Sequence, residues 1–568
     1  MSGEHTYECR GGRARIVWAL AAVVALALAL RGYRLGERSL WFDEAFSWRL
    51  TTFSWAELLE RAARDNNPPL FYAILKLWIA CFGESAWALR GLGALCGALT
   101  CLGMYLLTVE AARPAPERKP MHSLATDSTR WLAVCTAAFT AVSVFQIRWA
   151  REARMYALGG ALCAFSSWLL LRALHARGRG GPLWTAYALT ALAFAYTHTC
   201  AVFSIAAQAV YVVAFCIRRD GGPALSTSLV SPYDQASDEQ AGRPRYDSEQ
   251  AGRPRYGSEQ AGRPHHNATR IKSIRGATLA MLVVAAGWLA WTPALLRQRA
   301  QVSEAFWMGT IGWRDLPNAC YEWFGEQESL SRPEDLAIVA AVVCAAALAL
   351  LLYRPRPGDG FVFVMAAVPI ALISLVSAAD TNIAGARYLL FAQLFVLAAL
   401  PRLAWRLPSL PERGLLLLVL LANLVYPDLE LLDRMGARET PGVRGAAASI
   451  EEAGRHDEPV VVACPYFFLP TLFHLRNRTH CYLFDDGHSF RHYEGTAVLT
   501  RGDLLDADKL AALKSPRVWV VNNHSPALWG RPPVRVPANW KAVRRKVFSE
   551  VYGIQGTVEV VEYRLAEQ

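Results

Sequence analysis

At 568 residues, with 53% hydrophobic and only 19% charged side chains and a positive mean hydropathy, the chain is made largely for lipid, which excludes a wholly water-soluble fold. The formal net charge of +11 does not indicate a nucleic-acid partner, because the basic residues sit in short clusters between apolar runs instead of one patch interleaved with aromatics. Twelve scattered cysteines contain no CxxC, and most, such as Cys96, Cys101, Cys135, Cys163 and Cys344, lie inside apolar runs as small hydrophobes, so neither a metal cluster nor a disulfide framework is expected.

The first apolar run, Ile16 to Leu30, follows Arg10, Arg13 and Arg15, which predicts an uncleaved anchor with a cytoplasmic N-terminus. Further spans are predicted near 87–109, 131–147, 155–173, 182–198, 200–217, 277–296, 335–353, 361–379, 388–400 and 414–427, about eleven in all. Alternate loops carry the arginines: Arg113 and Arg118, then Arg177 and Arg179, then Arg218 and Arg219, then Arg354 and Arg356, then Arg402, Arg406 and Arg413. All of these fall on the cytoplasmic side, and an odd number of spans places the C-terminal part outside the cytoplasm with the loops 33–86, 148–154, 297–334 and 380–387. The expected organisation is a membrane domain over 1–427 and an extracytoplasmic domain over 428–568.

Within the stretch 220–275, Glu239-Gln-Ala-Gly-Arg-Pro returns at Glu249 and Glu259, a period too short for a solenoid unit. Its Gly, Pro, Arg, Gln and Ser content predicts a disordered cytoplasmic insert. Beyond 427, strand-like and helix-like runs alternate, among them Pro459 to Cys464, Thr471 to Leu475, Val518 to Asn522 and Val558 to Tyr563, predicting a small α/β domain. Cys464 and Cys481 could pair there if the domain is extracytoplasmic. The sequons at Asn267, Asn477 and Asn523 carry little information.

The first outward loop contains Leu40-Trp-Phe-Asp-Glu-Ala-Phe-Ser47, with Asp43 and Glu44 between aromatics near the end of the first span. A carboxylate that loses hydration beside apolar rings gains proton affinity and suits a general base, although an Asp at this point equally suits a helix N-cap. Asp65-Asn-Asn-Pro-Pro-Leu-Phe-Tyr72 follows, where the prolines end one element and start a helix from Leu70 to Phe82. Arg148, Arg151 and Arg154 stand on the outer side against the positive-inside trend, and so does Arg387 before Tyr388. A lipid phosphate in the outer leaflet explains them, as guanidinium groups bind phosphate bidentately; a salt bridge to Glu152 or Asp43 is the plainer reading. His198, in Tyr196-Thr-His-Thr199, falls at an outer turn, where it orients an acid, binds metal, or is simply an interfacial polar residue.

In their order along the chain, Trp41-Phe-Asp-Glu-Ala, Asn67-Pro-Pro-Leu-Phe-Tyr72, Gly83 to Arg90, Arg151-Glu-Ala-Arg-Met-Tyr156, Tyr196-Thr-His198, Trp291-Thr-Pro293 and Arg387-Tyr388 are similar to the GT-C glycosyltransferases related to protein O-mannosyltransferases and the bacterial aminoarabinose transferase of lipid A. The resemblance covers the membrane part to about residue 400; further on, Arg444 to Ile450 is the best local match. It implies a mainly α, polytopic transmembrane bundle of the GT-C type with a small C-terminal α/β domain, sited in a bacterial inner membrane. By the resemblance, Asp43 is the catalytic base or the carboxylate that orients the acceptor, and Glu44 is its neighbour in the family's catalytic acidic pair. Arg154, Arg151, Arg387, Tyr388 and Asn67 meet the donor phosphate, with Glu152, Tyr156 and His198 in support. Partners implied are a polyprenyl-phosphate-linked sugar, a lipid, glycan or protein acceptor, and membrane lipids. No cofactor is firmly implied, and Asn67, standing where relatives commonly have His or Lys, makes a divalent metal less expected. The rival readings are a transporter or flippase, for which few ionisable residues stand at mid-span, and an oligosaccharide transferase.

Overall fold

The computed structural model describes residues 4–113, 127–176, 180–218, 263–304, 308–325, 334–434, 440–454, 457–524, 532–550 and 555–565. Helix α1 spans Glu4–Gly32. Three shorter helices follow, α2 (Phe42–Thr52), α3 (Trp55–Arg64) and α4 (Leu70–Phe82), before the long α5 (Ala86–Ala111). Next come α6 (Asp127–Ala141), α7 (Val144–Ala150), α8 (Tyr156–His175), α9 (Gly181–Ala195), α10 (Ala201–Arg218), α11 (Arg263–Leu289), α12 (Thr292–Glu304) and α13 (Asp315–Glu322). The helical part closes with α14 (Glu334–Leu352), α15 (Asp359–Ala379), a 3-10 turn over Ala386–Leu389, α16 (Leu390–Ala404) and α17 (Leu410–Arg434).

Each of the eleven predicted spans falls on a helix or a bent helix pair, but among the described residues six helices are long and apolar enough to cross a bilayer singly, and eight if each of two bent pairs is one span. The bends are 61° between α6 and α7 and 59° between α11 and α12, so the loop expected at 148–154 begins as helix. Helix α9, at 15 residues, rises about 22 Å, short of a hydrocarbon core of about 30 Å. The break after α6 is stabilised by Arg31, whose Nη1 and Nη2 donate to the freed carbonyls of Ala141 (2.9 Å) and Thr140 (3.2 Å). Gly97 makes this possible: a Cβ there would lie 2.5 Å from Arg31 Nε. Most of the proposed insert, 220–262 with its repeat, lies outside the described residues, while 263–275 opens α11 as helix, contrary to a disordered reading of that end.

The segment between α1 and α5 is ordered by its own caps. Ser54 Oγ accepts from Glu57 N at 3.3 Å and Glu57 Oε2 accepts from Ser54 N at 3.0 Å, the reciprocal box that opens α3. Gly83, with φ of 79°, ends α4, and Ser85 Oγ caps α5 through Ala88 N at 3.1 Å.

The C-terminal part contains α18 (Gly442–Ala453), β1 (Val460–Val462), α19 (Pro465–His474), β2 (Cys481–Asp485), β3 (Leu504–Asp506), α20 (Ala507–Ala511), β4 (Arg517–His524), β5 (Trp540–Ser549) and β6 (Thr557–Leu565). The six strands lie in the order β3-β2-β1-β4-β6-β5, with the first four parallel to one another and the pairings β4–β6 and β6–β5 antiparallel. Val461, Val518, Val520 and Phe484 bury one face while Val460, Val462, Leu483 and Val521 bury the other, which gives the near-continuous apolar strands of a sheet covered on both sides. Cys464 and Cys481 are both buried with no disulfide between them.

Candidate functional site

Helix α2 begins at Phe42, so Asp43 and Glu44 stand in its first turn; Asp43 is not the N-cap, a position held by Trp41. Their environments differ. Glu44 is fully buried and gripped by Arg90, with Nε–Oε1 and Nη2–Oε2 both at 2.7 Å, and it also accepts from Ala153 N at 3.0 Å and Trp41 N at 3.4 Å. Arg90 further donates to the carbonyls of Leu35, Arg38 and Ser39. Burial would raise the proton affinity of Glu44, but the Arg90 and Arg38 charges more than offset it and hold its carboxyl below the usual range. Both oxygens are thus occupied in tying α2 to α5 and to the segment before α8.

Asp43, one residue earlier on the helix, keeps 23% of its side chain exposed and faces Arg154. Arg154, from the turn before α8, approaches Asp43 Oδ2 at 3.6 Å and the Asp43 carbonyl at 3.3 Å, and its Nη1 also reaches Ser47 Oγ (3.3 Å) and the Tyr72 hydroxyl (3.5 Å). These are long, shared contacts, leaving the guanidinium without a tight bidentate partner among them. Arg387, on the 3-10 turn that opens α16, is within electrostatic reach of Asp43; it donates to its neighbour's Tyr388 hydroxyl at 3.1 Å and stacks over that ring at 5.0 Å.

A row of rings joins the two arginines: Trp149 to Tyr156 at 4.5 Å, Tyr156 to His198 at 5.4 Å and His198 to Tyr388 at 6.3 Å between centroids. His198 Nδ1 accepts from Cys200 N at 3.0 Å, and burial together with Arg154 and Arg387 pushes its pKa down to about 3, so the ring is neutral. The turn carrying Asn67 is fastened to the His198 turn by Leu70 N to Tyr196 O (3.1 Å) and Thr199 Oγ1 to Asn66 O (3.1 Å).

The expected residues therefore divide. Asp43, Arg154, Tyr156, His198, Arg387 and Tyr388 converge, with the Asn67 turn beside them. Arg151 instead donates to Leu30 O (2.9 Å) and Arg31 O (3.4 Å) at the end of α1. Glu152 is buried next to Arg38 and Glu44, and burial pushes its carboxyl up to about 7. Tyr72 and Ser47 join the centre although sequence reasoning gave them no role, and Arg90 was visible only as the end of the Gly83 to Arg90 segment. Among the described residues no group of three or more His, Cys, Asp and Glu could hold a metal ion.

A bundle of apolar helices with this acidic loop at the end that carries a small α/β domain defines a membrane protein of the GT-C fold. The solved structures it resembles include ArnT from Cupriavidus metallidurans, bound to undecaprenyl phosphate (TM-score 0.53, 13% identity, 95% of this chain and 97% of that one) and in the apo state (0.53, 14%, 96% and 98%). The archaeal oligosaccharyltransferase AglB from Archaeoglobus fulgidus, in complex with an inhibitory peptide and a dolichol-phosphate, gives a TM-score of 0.45 at 10% identity over 89% of this chain and 69% of that one. No protein-family model matches the chain, and no curated protein matches it by sequence.

Proposed function

We propose that the chain is a membrane glycosyltransferase that moves a sugar from a polyprenyl-phosphate donor to an acceptor hydroxyl on the extracytoplasmic side, in a bacterial inner membrane, with inversion. The observation that carries this reading is the convergence of a partly exposed Asp43 with the buried Arg154 and the half-buried Arg387 at the sheet-bearing end of the bundle. In support, a structure of the same fold is bound to undecaprenyl phosphate.

The transfer is a single displacement. Asp43 takes the proton of the acceptor hydroxyl as its oxygen bonds to the anomeric carbon, and the bond from that carbon to the phosphate oxygen breaks. Negative charge grows on the departing polyprenyl phosphate, where Arg154 and Arg387 stabilise it more than in the ground state. Neutral His198 brings a polar ring to the same place without a third positive charge. Glu44, saturated by Arg90, acts as a positioning residue for the helix that presents Asp43.

Reconstitution with labelled polyprenyl-phosphate sugars tests the reading. Parent protein is expected to transfer label, and Asp43→Asn to lose about 10²-fold or more of that rate with an unchanged melting temperature, in line with removal of a general base. Equal turnover in Asp43→Asn removes it from the chemistry, and no transfer by the parent from any carrier favours the transporter reading.

A further inference from the structure

Arg154 has a second acid behind it. Tyr72, on α4, is fully buried and its phenol oxygen needs partners. It donates to Asp65 Oδ2 at 3.3 Å and lies 3.5 Å from Arg154 Nη1, so the hydroxyl bridges the two. Asp65 is fixed from both sides: its N–H closes α3 on the carbonyls of Arg61 (3.1 Å) and Ala62 (3.2 Å), and the following turn is pinned to Tyr196 and Thr199. The charged or titratable groups that act on Asp65 are Arg154, Asp43 and Tyr72. Arg154 therefore stands between two carboxylates, Asp43 directly and Asp65 through one hydroxyl, each competing with a phosphate for the same guanidinium.

We propose that Asp65 is a positioning residue of the active centre, which through Tyr72 sets how Arg154 divides its charge between Asp43 and the donor phosphate. The inference rests on the transfer reading above. With Asp65 in place, Arg154 is drawn toward Tyr72 and neutralises Asp43 less, which leaves Asp43 a stronger base; the negative charge of Asp65 acts in the same direction. Without it, Arg154 settles on Asp43 and on phosphate. Base strength falls and phosphate retention rises together, and a merely structural role for Asp65 would not produce that combination. Burial raises the proton affinity of Asp65 against the pull of Arg154, so this influence is strongest at neutral to alkaline pH.

The test uses full-length protein in detergent or nanodiscs, with Asp65→Asn, Tyr72→Phe and the double variant. Each is first shown to keep the parent melting temperature within a few degrees. Binding of undecaprenyl phosphate without a sugar, followed by thermophoresis at pH 8, is expected to tighten several-fold in Asp65→Asn. The acid limb of the kcat pH profile is expected to move down by half a unit or more, with kcat lowered, and the double variant is expected to match the stronger single one, because both residues act along one chain. Unchanged phosphate affinity, an unmoved acid limb in both single variants, or simple additivity overturns the inference while leaving the transfer reading intact. A parent protein that neither binds the carrier phosphate nor transfers sugar overturns both.

Discussion

Two neighbouring carboxylates, Asp43 and Glu44, show how one helical step separates chemistry from structure. Glu44 is sealed by four donors, two of them from Arg90, while Asp43 keeps open surface and a loosely held guanidinium. Truncating Arg90 would leave the buried Glu44 charge with only the more distant Arg38, at 3.8 Å, as counter-charge, a loss approaching the roughly 3–5 kcal/mol of breaking a buried pair. Arg90→Ala is accordingly expected to fall far in thermal unfolding or to fail to accumulate. Glu44→Gln, which keeps the shape but removes the negative charge and leaves one acceptor oxygen for the four donors, should unfold at an intermediate temperature and show a KM and kcat that worsen together. If Arg90→Ala melts like the parent, the clamp contributes little and α2 is held by its other contacts.

On the scale of elements, α2 is held from both sides, and the C-terminal domain supplies one of them. Arg49 binds both oxygens of Asp503 (3.1 and 3.2 Å), Glu84 joins Trp48 Nε1 (2.9 Å) to Arg478 (2.8 Å), and Phe42 packs edge-on against Tyr466 at 5.1 Å. His474, at the end of α19, accepts from Leu40 N at 3.1 Å, and burial together with Arg90 and Arg444 pushes its pKa down to about 3. The sign follows from linkage: an unfolded histidine takes up a proton near pH 6.5 that the folded one refuses, so the contribution is complete above that pH and is lost as pH falls toward 3. Between pH 6.5 and 4.5 the loss amounts to about 2–3 kcal/mol. Thermal unfolding of the parent should drop over that interval more than that of His474→Gln, whose side-chain oxygen still accepts the Leu40 N–H; parallel curves would show that His474 is not the responsible group.

For the molecule as a whole, the sequence announces its membrane character and the order of its helices, because apolar runs and arginine-rich loops are properties of composition along the chain. It does not announce the 61° and 59° bends, since hydropathy is indifferent to direction and Arg31 caps the first bend from another helix. In the sheet, β1, β4 and β6 were legible as apolar runs, whereas β3 is three residues long and β5 is a charged edge strand, with Lys541, Arg544 and Arg545 where alternation would be sought. Arg154 and Arg387 stood out because they defy the charge rule. Tyr72 did not, because its importance is a contact between helices that no local pattern encodes. The same charge rule makes a topological prediction. In a Cys81→Ser background, Asp508→Cys on the exposed side of α20 should react with a membrane-impermeant maleimide on intact cells, and Glu412→Cys at the start of α17 only after permeabilisation. The reverse pattern would turn the protein over in the bilayer and put the acidic centre on the wrong side for the proposed donor.

The contact between Arg49 and Asp503 also has a bearing on biosynthesis. A ribosome delivers Arg49 454 residues before Asp503, so while the intervening helices insert α2 lacks this contact with the C-terminal sheet domain. The contact that seats α2 on this side forms only once the segment bearing Asp503 has been made and folded, so a copy terminated before that segment would carry Asp43 on a helix held from one side fewer.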